Sequence, residues 1–206
     1  MKRIGLTQRV EVTSTGERRD CLDQNWAVLF DSLKLIPVPL PNYLPREGVK
    51  NLFENHQLDG IVLTGGNDPV GFRGTNEAPE RDLFEHALIE ECTRSKIPVL
   101  GVCRGAEILF IHYGGKISPI SDHVRVRHIV NFGSQKIEVN SYHGFGLEES
   151  SLPGSLEILA RAQDDSIEAF KHTKCPQTGI LWHPEREGSF QEFDLNLFRN
   201  VFGVKK

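Results

Sequence analysis

The strongest constraint on the fold is a pattern repeated along the first half of the chain: a short apolar run, a glycine-rich or polar break, then a longer amphipathic stretch. "RIGLT" (3–7) leads through a polar loop to "RRDCLDQNWAVLFDSL" (18–33), where Cys21, Leu22, Trp26, Leu29, Phe30 and Leu33 recur at helical spacing. "LKLIPVPL" (33–40) precedes a proline-rich link and "REGVKNLFENH". "LDGIVLTGG" (58–66) opens a long loop before "ERDLFEHALIEECTRSK" (80–96), and "IPVLGVC" (97–103) runs directly into "RGAEILFIHYGG". Continuous apolar strands alternating with amphipathic helices predict a parallel sheet buried on both faces. With right-handed crossovers, that gives an α/β fold, a three-layer α/β/α sandwich with a mostly parallel central sheet.

After residue 115 the texture changes. "VRVRHIVNF", "QKIEVNSYH", "LEILARAQ" and "SIEAFKH" are short alternating runs separated by polar turns, and they predict antiparallel additions to the sheet. "TGILWH" (178–183) reads as another buried strand and "FQEFDLNLFRNVF" as a closing helix. No repeat or linker divides the 206 residues, so a single domain, 1–206, is expected. Net charge is -4 with a pI near 6.1 and no basic run, which argues against nucleic acid. No stretch reaches membrane-spanning length, and "MKRIGLTQRV" turns polar too soon for a signal peptide. Cys21, Cys92, Cys103 and Cys175 form no C-x-x-C pair, which fits a reducing, cytoplasmic setting.

In a sheet of this kind ligands gather at the carboxyl ends of the strands. "GVCRGAEILF" (101–110) puts Cys103 at such an end, with Gly101 and Gly105 two residues either side. One reading is a buried cysteine in a tight turn. The other is a nucleophile elbow, in which side chains at the ±2 positions would collide. A helix start just beyond is expected to lower the thiol pKa and to offer N–H groups to an oxyanion. A thiol nucleophile needs a base with an orienting carboxylate. "GILWHPERE" supplies His183 and, two residues on, Glu185, which alternation along an extended segment would bring to one side.

The stretches "GVCRGAE", "HPE" and "LTGGNDP" together resemble class I glutamine amidotransferases, and within them the free-standing γ-glutamyl hydrolase branch. The resemblance spans nearly the whole chain. It implies a flavodoxin-like amidotransferase fold and a hydrolase acting on a γ-glutamyl amide, with Cys103 as nucleophile, His183 as base and acid, and Glu185 as orienter. It also implies an oxyanion hole from the backbone N–H groups of Gly66 and Arg104, with Gly65 and Gly66 allowing close approach; alone, the two glycines read equally as a post-strand turn. "ERDLFE" matches a segment of the hydrolase branch, although Arg81, Asp82 and Glu85 equally suit a solvated helix start. "NSYHGFG" resembles the stretch that holds the glutamyl moiety, making Ser141, Tyr142 and His143 pocket candidates, with His143 equally a polar loop residue.

Two positions depart from the usual pattern. Glu107 stands where amidotransferases carry the glutamine that contacts substrate, and Gly144 and Phe145 follow His143 where aminobutyrate-type hydrolases read roughly His-Gln. "IGLTQRV", "ERRDCLDQNW" and the C-terminal stretches are similar to branch members that act on γ-glutamyl-CDP-amidate, in making the phosphoramidate decoration of bacterial surface polysaccharides. Arg9, Arg18 and Arg19 are then diphosphate-binding candidates, or residues of a solvated loop. Alternatives are a γ-glutamyl-γ-aminobutyrate-type hydrolase, a glutaminase subunit delivering ammonia to a partner synthase, and a thiol sensor on the same fold. No cofactor is implied, the partner is a small-molecule γ-glutamyl substrate, and a homodimer is left open. His123 and His128 have no cysteine or carboxylate nearby in sequence, so no metal site is expected.

Overall fold

The structure is a computed structural model describing residues 1–42, 46–72 and 76–205, without the side chains of residues 46 and 47. In chain order it forms β1 (Arg3–Leu6), β2 (Arg9–Val12), β3 (Arg18–Cys21), α1 (Asn25–Ser32), β4 (Ile36–Pro39), α2 (Arg46–His56), β5 (Gly60–Leu63), α3 (Pro79–Ser95), β6 (Val99–Val102) and α4 (Arg104–His112). There follow β7 (Ile117–Pro119), β8 (Val124–Phe132), β9 (Gln135–Tyr142), β10 (Phe145–Leu147), β11 (Leu156–Ala162), β12 (Ile167–His172), β13 (Gln177–Ile180) and α5 (Glu192–Phe202).

The sheet runs β4-β1-β5-β6-β13-β12-β11-β8-β9. The first five strands are parallel and the rest antiparallel, with β7 and β10 joining at β12. Alternation along the buried strands divides the core between the two faces. Ile61, Leu63 and Val99 pack with Leu88, Ile89 and Leu109 of α3 and α4. Val62, Leu100 and Val102 point the other way, to Leu29 and Phe30 of α1 and Phe198 and Phe202 of α5. This is the expected three-layer α/β/α arrangement.

One expected element is different. The helical spacing over 18–33 holds only from residue 25; Arg18–Cys21 is β3, paired antiparallel with β2 in a separate hairpin. Cys21 and Leu22 share the helical period, yet hairpin pairing with a segment outside that window takes Cys21. The proline-rich link after β4 lies partly outside the described residues, as does part of the long loop before α3.

Candidate active site

β6 lies between β5 and β13, and its chain turns sharply into α4 at Cys103. Cys103 has φ 53° and ψ -113°, a left-handed conformation that a side chain rarely adopts. Its backbone N–H donates to Ile180 O at 2.8 Å, fixing the turn to β13. A Cβ at position 101 would lie 2.6 Å from Gly105 O, and one at position 105 would lie 2.0 Å from Leu63 O. Both glycines are therefore required by the backbone itself. The thiol is buried, and its pKa runs against expectation: burial pushes it up and Glu107 pushes it further. Arg186 and the Arg104 N–H act the other way without offsetting the loss of water.

Parallel pairing of Gly179 with Gly101 and Ile180 with Val102 brings the segment after β13 to the same sheet end as Cys103. There His183 Nδ1 lies 2.7 Å from Glu185 Oε1, both side chains buried. The link between them is a 3₁₀ turn, Pro184–Arg186, rather than the extended segment expected from alternation. Asn140 at the end of β9 clamps the histidine backbone: its Nδ2 donates to His183 O at 2.8 Å, and its Oδ1 accepts from His183 N at 2.9 Å. Tyr142 meets the imidazole edge-on at 5.6 Å, and Arg186 stacks over Tyr142 at 4.7 Å. A Cβ at Gly65 would come within 2.6 Å of His183 Cε1, so the ring fills the space above a bare backbone.

The loop after β5 is held from beneath by the wholly buried Arg81. Its guanidinium donates to Thr64 O at 2.6 Å, to Gly65 O at 3.2 Å and to Gly66 O. In a trans peptide the C=O and N–H point opposite ways. Holding Gly65 O against Arg81 therefore aims the Gly66 N–H away from it, with Gly66 at φ 84°. Arg81 Nε donates to Glu85 at 2.9 Å, and Arg104, opening α4, donates to Glu85 and Asp82. Burial lowers Arg81 to about 10, which leaves it charged at neutral pH. The segment that read equally as a solvated helix start is thus a buried network tying this loop to α4, the helix that follows Cys103.

Residues 19–202 match the family described as Glutamine amidotransferase class-I. A gamma-glutamyl-CDP-amidate hydrolase from Campylobacter jejuni is 36% identical over 196 residues, covering 93% of this chain and 94% of that protein. A glutamine-hydrolyzing GMP synthase subunit from Methanococcus vannielii is 30% identical over 183 residues, covering 84% and 89%. The crystal structure of a glutamine amidotransferase from Thermotoga maritima shares the fold, with a TM-score of 0.65 at 17% identity over 98% of this chain and 84% of that one. The chain belongs to the class I glutamine amidotransferases.

Among the other candidates, this amidotransferase turns some toward the sheet end that bears Cys103 and His183 and others away. On the β2–β3 hairpin, Arg9 pairs opposite Cys21 and shares its face, and both line a cleft of about 190 Å³ with Thr64, Gly65, Glu185 and Arg186. Arg18 lies on the other face, in an ion pair with Glu80, beside a different cavity. Arg19 is exposed and pairs with Glu17. Of the three residues expected in a glutamyl pocket, the structure puts only Tyr142 beside His183. Alternation turns Ser141 and His143 to the opposite side, where Ser141 Oγ donates to His123 O at 2.6 Å and His143 meets Glu168.

Glu107, on the first turn of α4, is buried; burial raises its pKa to about 8, Arg104 opposing and Asp68 adding to the rise. At neutral pH it therefore carries a proton and is uncharged, closer to the amide usual at this position than its formula suggests. Sequence reading missed Asn140, whose backbone clamp has no local signature. It also missed Glu168, which β12 brings within reach of His123 and His128. The sequence-based exclusion of a metal rested on the lack of a carboxylate, and the fold supplies one. Among the described residues no helix is long and apolar enough to cross a membrane.

Proposed function

We propose that this chain hydrolyses a γ-glutamyl amide through a thioester on Cys103. The observation that carries the reading is the strained Cys103 elbow at the same sheet end as the buried His183–Glu185 pair. Glu185 occupies Nδ1, which leaves Nε2 as the basic nitrogen. The raised thiol pKa means that the proton leaves Cys103 as substrate is attacked, moving to His183 as the C–S bond forms. The oxyanion is held by the N–H groups of Gly66 and Arg104. Collapse of the intermediate breaks the C–N bond while His183 protonates the leaving nitrogen. Water, giving a proton to His183, then attacks the thioester carbonyl, releasing glutamate and restoring the thiol. No cofactor enters these steps.

Within this class, γ-glutamyl-CDP-amidate is the substrate best supported, with glutamate and cytidine diphosphoramidate, a precursor for bacterial surface polysaccharide, as products. The similarity to the Campylobacter jejuni hydrolase supports it. The cleft offers the guanidinium groups of Arg9 and Arg186 to a diphosphate, which would displace Glu11 from its ion pair with Arg9. A glutaminase role is supported by relatives such as the glutamine-hydrolyzing GMP synthase subunit, at lower identity. Glutamate release measured side by side from γ-glutamyl-CDP-amidate, γ-glutamylaminobutyrate and glutamine decides among them. The nucleotide amide is expected to be preferred, without a partner synthase. Arg9→Ala should lower its kcat/KM by about 10- to 100-fold, mainly through KM, as for one lost charge-assisted hydrogen bond of roughly 1.5–3 kcal/mol. Arg18→Ala should change little. Preference for glutamine or γ-glutamylaminobutyrate, with no dependence on Arg9, would leave the thioester chemistry and remove the nucleotide.

A further inference from the structure

The buried polar groups that hydrolysis leaves unused converge in the antiparallel half of the sheet. Glu168 on β12 is wholly buried, and neither of its carboxylate oxygens has a hydrogen-bond partner; nor does His128 Nε2 on β8. Three imidazoles point at this carboxylate. His123 Nδ1 lies 3.3 Å from Glu168 Oε1, His143 Nε2 lies 3.4 Å from the same oxygen, and His128 Nε2 lies 3.6 Å from Oε2. His123 Nδ1 and His143 Nε2 are themselves 3.3 Å apart.

The outward nitrogens of His123 and His143 are already engaged. His143 Nδ1 lies 2.8 Å from Phe145 O, an acceptor, so Nδ1 carries the proton and Nε2 presents a lone pair inward. His123 Nε2 lies 2.9 Å from Asp164 Oδ2 and donates to it, so the neutral ring likewise presents Nδ1 inward. Two lone pairs at this separation need a cation between them, either a proton or a metal ion. Histidine ligands of metals are held in this way, by a carboxylate or carbonyl on the far nitrogen. With bonds of about 2.0–2.1 Å, ligand atoms of a tetrahedral zinc site lie about 3.3–3.4 Å apart, the spacing of His123 Nδ1, His143 Nε2 and Glu168 Oε1, while His128 Nε2 stands 3.6 Å from Oε2.

We propose that His123, His128, His143 and Glu168 bind one divalent transition metal of the zinc class. The site joins β8 and the residue before it, β12 and the β9–β10 turn, where His143 directly follows Tyr142. Ser141 and His143 face it while Asn140 and Tyr142 face His183, so a bound metal fixes from behind the stretch that holds the catalytic imidazole. Three nitrogens and one oxygen suit zinc and disfavour magnesium or calcium. The role is structural; the reaction above runs through other residues.

The test uses the full chain carrying Cys103→Ala, which removes the active-site thiol as a rival zinc ligand. After stripping with chelator, reloading with zinc and desalting, elemental analysis should find one zinc per chain. Cobalt(II) should give the visible absorption of a four-coordinate nitrogen–oxygen site. Adding Glu168→Gln or His128→Ala, each checked by circular dichroism, should weaken zinc by more than the roughly 10–100-fold typical of losing an outer-shell partner. Each should also abolish the zinc-dependent rise in Tm. His128 lies nearer the surface than Glu168, so its variant serves if Glu168→Gln does not fold. Failure to retain zinc, or equal retention in a folded variant, overturns the proposal whether or not the hydrolase reading holds.

Discussion

On the parallel side of the sheet, Arg81, Glu85, Asp82 and Arg104 close on one another; on the antiparallel side, three imidazoles converge on Glu168 and leave both its oxygens without a hydrogen bond. Each cluster lies behind one half of the proposed catalytic arrangement. The first holds the loop of Gly65 and Gly66, and the second adjoins the strand that clamps His183. Two guanidinium groups supply donors to both carboxylates and to three loop carbonyls, so every carboxylate of the first cluster is paired and only the donor Arg104 Nε is left over. Neutral imidazoles whose outer nitrogens donate, as those of His123 and His143 do, have no second N–H for Glu168. Buried charge that satisfies itself works as a clamp, and buried charge that does not presents a ligand set.

The comparison breaks most readily at Arg81. Arg81→Met leaves Glu85 buried beside one fewer cation and strips three loop carbonyls of their donor. Removing one partner of a buried pair costs about 3–5 kcal/mol, so urea unfolding should show a loss of that order, with glutamate release falling as well. Arg18→Met, in a partly exposed pair with Glu80, should stay within about 1 kcal/mol. Similar losses for the two variants would mean that the Arg81 network is not a clamp.

A smaller effect is expected at Glu107, the buried carboxyl that neither cluster absorbs. Its folded pKa, raised by burial to about 8, lies above the ordinary 4.5. The stability it contributes is then full below about pH 4.5 and is lost as pH rises toward and through about 8. Glu107→Gln has no proton to lose. Urea midpoints measured across about pH 5 to 8 should therefore shift progressively in favour of the variant as pH rises. Ionised Glu107 also raises the Cys103 thiol pKa, so the variant should retain more activity at the alkaline end. A constant difference in midpoint at every pH would mean that Glu107 is already ionised.

The parts legible in the sequence are those with a local cause. Gly101 and Gly105 bracket Cys103 because the turn has no room for a Cβ, and His183 and Glu185 are neighbours in the chain. The order of strands and helices followed from apolar runs, which reflect burial on both faces. What stayed hidden depends on distant segments. Cys21 has a helical period but pairs across to Arg9, and Arg81 reads as a surface residue until the loop at 64–67 packs over it. Glu168 joins His123 and His128 only when β12 enters the sheet, and the direction of the Cys103 shift follows from burial, which the helix start alone does not reveal.

The central claim, covalent hydrolysis at Cys103, is tested most directly by quenching the enzyme in acid during turnover of γ-glutamyl-CDP-amidate and mapping the adduct by peptide mass spectrometry. The account predicts one glutamyl group on the peptide bearing Cys103, accumulating within the first turnovers and absent from Cys103→Ala, which should also release no glutamate. Glutamate release by Cys103→Ala, or a glutamyl adduct on Cys21, Cys92 or Cys175 in its place, would contradict it.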